Sequence, residues 1–188
     1  MKDTYFFEAK KRGYRSRSAF KLLEIQKKYH FVRKGDNVLD LGSSPGGWLQ
    51  VLTEFATPNA RIVGIDIKPV EKISGVTTYI CDIFDHQSLD SLLKGTLFDV
   101  ITSDMAPNTS GIKDIDQARS VELCERAFEV AQNYLKHRGN LLMKVFSGSD
   151  FAPFLQKIKK NFREVFVFKP QSSRDRSRET FIVALSKR

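Results

Sequence analysis

The feature that most constrains this chain is an apolar run, Asn37 to Leu41, which stops at Gly42 and is followed by a helix-like segment, Trp48 to Phe55. Residues 38–48 read Val-Leu-Asp-Leu-Gly-Ser-Ser-Pro-Gly-Gly-Trp. This order predicts a strand, a tight turn and a helix N-terminus. Glycines let a ligand approach the backbone closely, and the first turn of a helix presents unpaired N–H groups. The stretch therefore predicts a ligand site at the end of a strand.

A second apolar run, Arg61 to Asp66, ends in a carboxylate 24 residues after Gly42. This spacing is typical of an acid at the tip of the next parallel strand, where it accepts hydrogen bonds from ribose hydroxyls. Asp82 closes another apolar run, and we expect it on the adenine side of the same pocket. The sequence thus predicts a nucleoside-containing cofactor. The turn lacks the dinucleotide fingerprint G-x-G-x-x-G, and a glycine-rich turn without a ligand stays open as an alternative.

Strand-like and helix-like segments alternate along most of the chain, which predicts a parallel sheet covered by helices. The last two strands are separated only by the basic loop between Pro170 and Glu179, so we expect the final strand to be antiparallel. The predicted fold class is α/β: a doubly wound, mostly parallel seven-stranded sheet with helices on both faces and an antiparallel last strand. At 188 residues the chain is predicted to be one domain, 1–188.

The net charge of +9 is unevenly distributed. Residues 1–34 carry +8 and residues 157–188 carry +7, whereas residues 35–156 carry −6. Basic ends around an acidic middle indicate a polyanionic partner, most simply nucleic acid. Residues 1–15 add aromatic side chains to lysines and arginines, so this N-terminal arm is predicted to contact RNA. Two alternatives stay open: basic termini that only aid solubility, and an arm packed on the domain.

Other classes of protein are disfavoured by what the sequence lacks. No apolar run approaches the length of a membrane span, and the first residues do not resemble a signal peptide. The isolated thiols and histidines form neither a metal-ligand nor a disulfide pattern, so we expect no metal site and a reducing cytoplasmic location. They are Cys81, Cys124, His30, His86 and His137.

Four charged residues stand out because of their positions. Lys21 lies in the first long helix-like segment, and Asp104 ends a buried-type strand. Lys144 interrupts the apolar run from Leu141 to Phe146, and Glu179 opens the final strand. A lysine in a central strand is costly to bury unless it is paired or used. In open α/β sheets ligands bind at the carboxyl ends of the strands, where we expect Asp66, Asp82, Asp104 and Lys144 to gather. A purely structural ion pair remains the alternative for Lys144.

Five segments together resemble the FtsJ/RrmJ family of S-adenosylmethionine-dependent ribosomal RNA ribose 2′-O-methyltransferases. Many methyltransferases share the glycine motif alone, whereas all five segments in this order are specific to the family. The chain departs mildly at Ser43-Ser44, where two alanines are common in the family. The matching segments are residues 16–22 (SRSAFKL), 40–48 (DLGSSPGGW), 103–111 (SDMAPNTSG), 143–146 (MKVF) and 177–181 (SRETF).

The resemblance implies a Rossmann-like class I methyltransferase with S-adenosylmethionine as cofactor and a uridine ribose of large-subunit ribosomal RNA as target. It places the catalytic set on Lys21, Asp104, Lys144 and Glu179. It places the cofactor pocket on Gly46, Trp48, Asp66, Asp82 and Asp104. Transfer to a 2′-hydroxyl requires alignment and removal of the hydroxyl proton. The sequence leaves open whether Lys144 is the base or a cation that steers the oxygen.

Four alternatives remain. A tRNA ribose methyltransferase would share this fold. A base N-methyltransferase is disfavoured because such enzymes resemble Asp/Asn-Pro-Pro-aromatic at the position of Asp104 to Pro107, and here the aromatic residue is missing. A dehydrogenase is disfavoured because the dinucleotide fingerprint is absent. A non-catalytic RNA-binding protein is disfavoured because all four residues of the predicted catalytic set are present. The substrate form, naked RNA or assembled subunit, and the oligomeric state are not determined by the sequence.

Overall fold

The computed structural model describes residues 4–107, 110–173 and 177–188. Asn108 and Thr109 of the third family segment, and the tip of the basic loop at 174–176, lie outside the described residues. The helices are α1 Thr4–Lys11, α2 Ser18–Tyr29, α3 Gly47–Ala56, α4 His86–Leu93, α5 Lys113–Tyr134 and α6 Phe151–Asn161. The strands are β1 Val38–Leu41, β2 Ile62–Asp66, β3 Val76–Ile80, β4 Phe98–Ser103, β5 Leu135–Phe146, β6 Phe162–Phe168 and β7 Glu179–Lys187.

The seven strands form one sheet in the order β3-β2-β1-β4-β5-β7-β6. The pairs from β3 to β5 are parallel, and β7 runs antiparallel to both of its neighbours. The order reverses at β1, from which the chain first builds towards β3 and then, through β4, towards β6. Such a switch point opens a crevice at the carboxyl ends of β1 and β4, where α/β proteins bind ligands. The predicted fold class is confirmed.

Helices cover both faces of the sheet, and each face has its own apolar core. On one face Leu39, Ile65 and Ile101 pack with side chains of α4, α5 and α6. On the other face Val38 and Val183 pack with α2 and α3. Because neighbouring strand residues point to opposite faces, a strand with apolar residues at every position supplies both cores. Strand β1 is buried along its whole length.

Three local expectations are changed by tertiary contacts. The residues of the N-terminal arm from Thr4 to Lys11 form α1, which packs on α2 through Tyr5 against Phe20. The sequence predicts a serine N-cap for α2, at Ser16 or Ser18, but Arg17 occupies that position and no side chain caps the helix. The amphipathic segment from Asp116 to His137 predicts one long helix, but α5 ends at Tyr134 because Leu135 pairs with β4.

Candidate active site

The ammonium group of Lys144 lies at the carboxyl end of β5, against Asp104 at the end of β4. Its Nζ donates to Oδ1 of Asp104 at 2.8 Å and to the backbone oxygen of the same residue at 2.5 Å. The side chains are 9% and 16% exposed, so the pair is largely withdrawn from water. As expected from the apolar run, Lys144 points towards Asp104 and not out to solvent.

A second lysine–carboxylate pair joins helix α2 to strand β7, the antiparallel neighbour of β5. Nζ of Lys21, from the first turn of α2, is 2.5 Å from Oε1 of Glu179, the first residue of β7. Glu179 pairs in register with Phe146, two residues beyond Lys144, so Glu179 and Lys144 share one face of the sheet. Lys144 itself pairs with Phe181, whose ring centroid is 6.0 Å from Nζ of Lys21. The structure therefore brings the four predicted catalytic residues together.

Glu179 is held in its ionised form. Burial by itself would raise the pKa of its carboxyl group, but the charge and hydrogen bond of Lys21, a hydrogen bond from Ser173 and the charge of Lys144 together hold that pKa below its ordinary value. The Ser173 hydroxyl donates to Oε1 of Glu179 at 2.8 Å. Two lysines and two carboxylates thus balance one another in a partly dry site.

The loop that leads into β7 is attached to α2, a connection that sequence reasoning missed. The Glu24 carboxylate accepts the backbone N–H groups of Gln171 at 2.7 Å and of Ser172 at 2.9 Å. Arg17 donates to the backbone oxygen of Ser172. Helix α2 thus carries Lys21 and also anchors the loop at Gln171 and Ser172. The next residue of that loop, Ser173, contacts Glu179. In the sequence, the only indication that Glu24 acts near the site was its position almost one helical turn after Lys21.

The glycine turn after β1 packs tightly against two other segments. Gly42 has φ +74°, and a Cβ atom there would lie 2.5 Å from Cγ of Met105, which follows Asp104. Gly46 has φ +108°, and a Cβ atom there would lie 2.9 Å from Nη1 of Arg15. Arg15, which composition assigned to phosphate contacts, instead donates to the backbone oxygens of Pro45, Glu71 and Lys72. The turn therefore packs directly against the segment that follows Asp104.

The predicted cofactor residues occupy unequal positions. Asp66 ends β2 and accepts the N–H groups of Ser44 at 2.9 Å and Lys68 at 2.8 Å, so its carboxylate faces the glycine turn. Asp82 lies two residues beyond the end of β3, in an exposed turn where it accepts the N–H of Phe84. Trp48 is only 2% exposed and its ring N–H donates to the Ser18 oxygen. The Trp48 ring therefore belongs to the apolar core, where it packs on Phe181.

Two buried polar groups beneath the turn were not singled out by sequence reasoning. Oδ2 of Asp40 and the hydroxyl of Ser43 have no hydrogen-bond partner among the described residues. Burial raises the pKa of Asp40 to about 8, opposed by a hydrogen bond from Thr102 and reinforced by the charges of Asp104 and Asp66. A carboxyl group inside an apolar strand was the available signal, because burying one without a partner is costly.

These observations are typical of one class of protein: an α/β enzyme with a nucleoside-containing cofactor where β1 and β2 end, and with lysine–carboxylate pairs where β4 and β5 end and β7 begins. S-Adenosylmethionine fits the residues present. Gly42 and Ser44 of the turn are partly exposed, the Asp66 carboxylate has the chemistry to accept hydrogen bonds from ribose hydroxyls, and the unpartnered oxygens of Asp40 and Ser43 lie beneath the turn. No group of three or more potential metal ligands occurs among the residues that the structure describes. None of its described helices is long and apolar enough to cross a membrane.

Comparisons with known proteins identify the family. The family model described as FtsJ-like methyltransferase matches residues 14–187. The chain is 42% identical to Ribosomal RNA large subunit methyltransferase E of Wolbachia pipientis, covering 98% of this chain and 95% of that protein. It is 43% identical to the protein of the same name from Chromobacterium violaceum, covering 99% of this chain and 92% of that protein. The chain therefore belongs to the FtsJ-like methyltransferase family.

Solved structures agree with this assignment. A crystal structure of a Plasmodium falciparum protein, named as a ribosomal RNA methyltransferase, has a TM-score of 0.81 and 30% identity, covering 93% of this chain and 98% of that one. Aeropyrum pernix fibrillarin, solved with bound S-adenosylmethionine, has a TM-score of 0.67 at 18% identity over 92% of this chain and 75% of that one, which shows the fold alone. The predicted family, methyltransferase activity and S-adenosylmethionine cofactor are confirmed.

Proposed function

We propose that this protein transfers a methyl group from S-adenosylmethionine to a ribose 2′-hydroxyl, and that the ribose belongs to a uridine of large-subunit ribosomal RNA. The observation that carries the proposal is the pairing of Lys144 with Asp104 and of Lys21 with Glu179 on one face of the sheet, beside the glycine turn. The names of the curated relatives support the choice of RNA.

To catalyse this transfer, the protein must align the ribose hydroxyl with the methyl group and must provide for the loss of the hydroxyl proton. The cofactor supplies an already activated methyl group on a sulfonium. A ribose hydroxyl is a weak nucleophile, so the side chains must orient its oxygen in line and stabilise the charge that it gains. Lys144 is suited to this because an ammonium group has three donors and Asp104 accepts from it at only two contacts. The remaining N–H of Lys144 is available to the 2′-oxygen.

The proton of the hydroxyl leaves as the new O–C bond forms. Lys144 takes that proton if it enters the reaction as a neutral amine; otherwise it stabilises the developing alkoxide as an ammonium and the proton passes to water. In either case the two contacts with Asp104 hold Nζ of Lys144 in place. Lys21 and Glu179 complete the wall on which the ribose is positioned.

The RNA contact of helix α1 is also proposed. Phe6 and Phe7 are 54% and 55% exposed, and Lys10 and Lys11 are exposed in the last turn of the same helix. Exposed aromatic rings stack on bases while lysines neutralise phosphates. Because α1 packs against α2 at Phe20, next to Lys21, a base held on α1 would lie near the reactive groups. These features support RNA as the partner and the cytoplasm, where ribosomal subunits are available, as the location.

The experiment supplies tritium-labelled S-adenosylmethionine with three acceptors: naked large-subunit ribosomal RNA, assembled large subunits and bulk tRNA. We expect transfer to the ribosomal substrate, with the label retained on the ribose of a uridine after nuclease digestion. If only tRNA were labelled, the substrate would be tRNA and not ribosomal RNA. Label on a base would contradict ribose methylation. The Lys144→Ala protein is the catalytic control, since we expect it to lose the ammonium group and keep the fold, which circular dichroism checks.

A further inference from the structure

The fold separates the basic charge of the chain ends into two groups. Helix α1 and the start of α2 lie near the end of the sheet that carries Asp104 and Lys144, here called the catalytic edge. Four other segments lie at the opposite edge, where β1, β4, β5 and β6 begin and β7 ends: residues 33–36, 136–138, 159–164 and 187–188. These segments contain nine lysines and arginines against two acids. The amino-end edge is therefore a strongly basic surface that the proposed methyl transfer does not use.

This surface surrounds a cavity of about 570 Å³. Arg33, Arg138 and Arg163 line it, from the turn before β1, the start of β5 and the start of β6. All three are exposed. The guanidinium groups of Arg138 and Arg163 have no hydrogen bond or ion pair within the part of the chain that the structure describes. The side chain of Arg33 likewise has no hydrogen bond or ion pair there, and its charge acts on Asp36. Three exposed arginines from separate elements thus line one cavity, and none of their guanidinium groups has a hydrogen-bond or ion-pair partner among the described residues.

The carboxylates at this edge do not neutralise the surface. Asp99 is paired with Lys136, whose Nζ lies 2.8 Å from each carboxylate oxygen. Asp36 accepts the backbone N–H of Arg33, and burial raises the pKa of its carboxyl group above the ordinary value. Glu164 is exposed beside Arg163. The net positive charge therefore survives after the pairs are counted.

We infer that this amino-end edge, centred on Arg33, Arg138 and Arg163, is a second RNA-backbone surface that binds a segment of the substrate remote from the methylated nucleotide; the inference rests on the proposed function for the identity of the RNA. Six residues of β5 separate Asn140 at this edge from Phe146 at the catalytic edge, a distance of about 20 Å at the usual rise per residue. RNA held at both edges must bend around the protein or belong to a folded assembly.

The geometry favours an extended polyanion over a small anion. Helices α2 and α6 both end at this edge, and the partial negative charge of a helix C-terminus disfavours a compact anion held inside the cavity. The three arginines are exposed, so successive phosphates of one strand can meet them in turn. Guanidinium groups bind phosphate with two parallel hydrogen bonds, which suits this arrangement.

The test measures binding of naked large-subunit ribosomal RNA as a function of salt, without cofactor. Each phosphate contact contributes a slope of about −0.7 to −0.9 to the plot of log affinity against log salt. The double variant Arg138→Gln/Arg163→Gln should flatten the slope by about 1.4–1.8, which is a loss of about 15–30-fold in affinity at 0.15 M salt relative to 1 M. Lys94→Glu changes the net charge by the same two units at an exposed site outside the cavity, and its slope should match the wild type.

Two results would overturn the inference: an unchanged slope in the double variant, or an equal loss in Lys94→Glu, which would reduce the effect to overall charge. A second RNA, a short hairpin that cannot reach both edges, extends the test. If this hairpin carries the methylated uridine, its affinity should be insensitive to the double substitution, and equal sensitivity would contradict a contact remote from the methylated nucleotide. Methyl transfer by the wild type is measured separately, so a failure of the proposed reaction is distinguishable from a failure of the surface.

Discussion

At the residue scale, the two donor contacts of Lys144 with Asp104 leave one N–H for the substrate. Lys144→Ala should lower kcat by about 10²–10⁴-fold, the range for proton transfer assistance, with little change in cofactor affinity. Single-turnover methylation measures the loss. Lys157→Ala is the matched control, because it also breaks a lysine–carboxylate pair, with Glu125, between helices α6 and α5 on the other face of the sheet. Near-wild-type turnover in Lys144→Ala would reduce this lysine to a structural ion pair.

Lys144→Arg separates the two chemical roles. Arginine keeps the positive charge but does not release its proton near neutral pH. If the charge of Lys144 is what matters, the arginine variant should recover much of the lost turnover and keep the wild-type pH–rate profile. Loss of an ascending limb of that profile, together with no rescue, would instead identify Lys144 as the base.

Asp66 is the residue best placed to hold the cofactor ribose. Asp66→Ala should weaken S-adenosylmethionine binding by about 1.5–3 kcal/mol, since hydrogen bonds to a charged acceptor are lost. The variant also releases the N–H groups of Ser44 and Lys68, which adds to the effect. Calorimetry of the folded variant gives the affinity, and Asp114→Ala, an exposed carboxylate in the first turn of α5, is the control. Unchanged affinity would remove Asp66 from the pocket.

At the scale of elements, helix α2 both carries Lys21 and fixes the loop before β7 through Glu24. Glu24→Gln replaces one acceptor by a donor that faces a backbone N–H, so the loop should loosen around Ser173 and Glu179. We expect kcat to fall about tenfold or more, the equivalent of one hydrogen bond to a charged group, with cofactor affinity unchanged. Glu122→Gln on the exposed side of α5 is the control. A change in RNA KM without a change in kcat would contradict this positioning role.

Helix α1 is the element proposed to contact RNA near the reactive groups. Lys10→Gln/Lys11→Gln should flatten the salt dependence of RNA binding by about 1.4–1.8, if each lysine neutralises one phosphate. Phe7→Ala should cost about 1–3 kcal/mol of binding if its ring stacks on a base. Filter binding measures both, and Lys94→Glu again matches the change in charge. An unaltered slope in the lysine variant would mean that α1 is only solvated.

At the scale of the whole molecule, Asp40 links stability to pH. Its pKa is about 8 in the folded protein, mainly because of burial, against 3.8 as the ordinary value. Between these values the folded state binds one proton more than the unfolded state, so this stabilisation is complete below the unfolded pKa and is lost as pH rises towards 8. The loss is about 1.4 kcal/mol per pH unit.

The measurement is urea unfolding of the wild type and of Asp40→Asn at pH 5.5, 6.5 and 7.5. The free energy of unfolding of the wild type, relative to the variant, should fall steadily with rising pH, because the amide does not ionise. Glu179 does not interfere: its pKa is lowered, so its stabilising contribution is lost only as pH falls into the acidic range below this window. Parallel curves for the two proteins would show that Asp40 is already ionised in the folded state.

Much of this organisation was readable from residue order. Mainly apolar runs without polar alternation, such as Val38–Leu41, predicted strands buried on both faces, as in a parallel sheet. The loop before Glu179 is too short to contain a helix, which predicted the antiparallel last strand. The four catalytic candidates were identified by chain position and family resemblance, since a charge inside an apolar run is costly and therefore informative. Local predictions failed where long-range strand pairing competed with helix formation. Leu135, for example, begins β5 and pairs with Phe98 of β4, so α5 ends before it.

The sequence by itself determined the fold class, the glycine turn and the identities of the charged residues, because these depend on local pattern and on residue chemistry. The tertiary structure alone decided which charges meet. It attached Arg15 to backbone oxygens, paired Lys21 with Glu179 across 158 positions of the chain, and set Glu24 against the loop at Gln171. It also divided the basic chain ends between two edges of the sheet. Proximity between distant residues follows from strand order and crossing direction, which no single segment encodes.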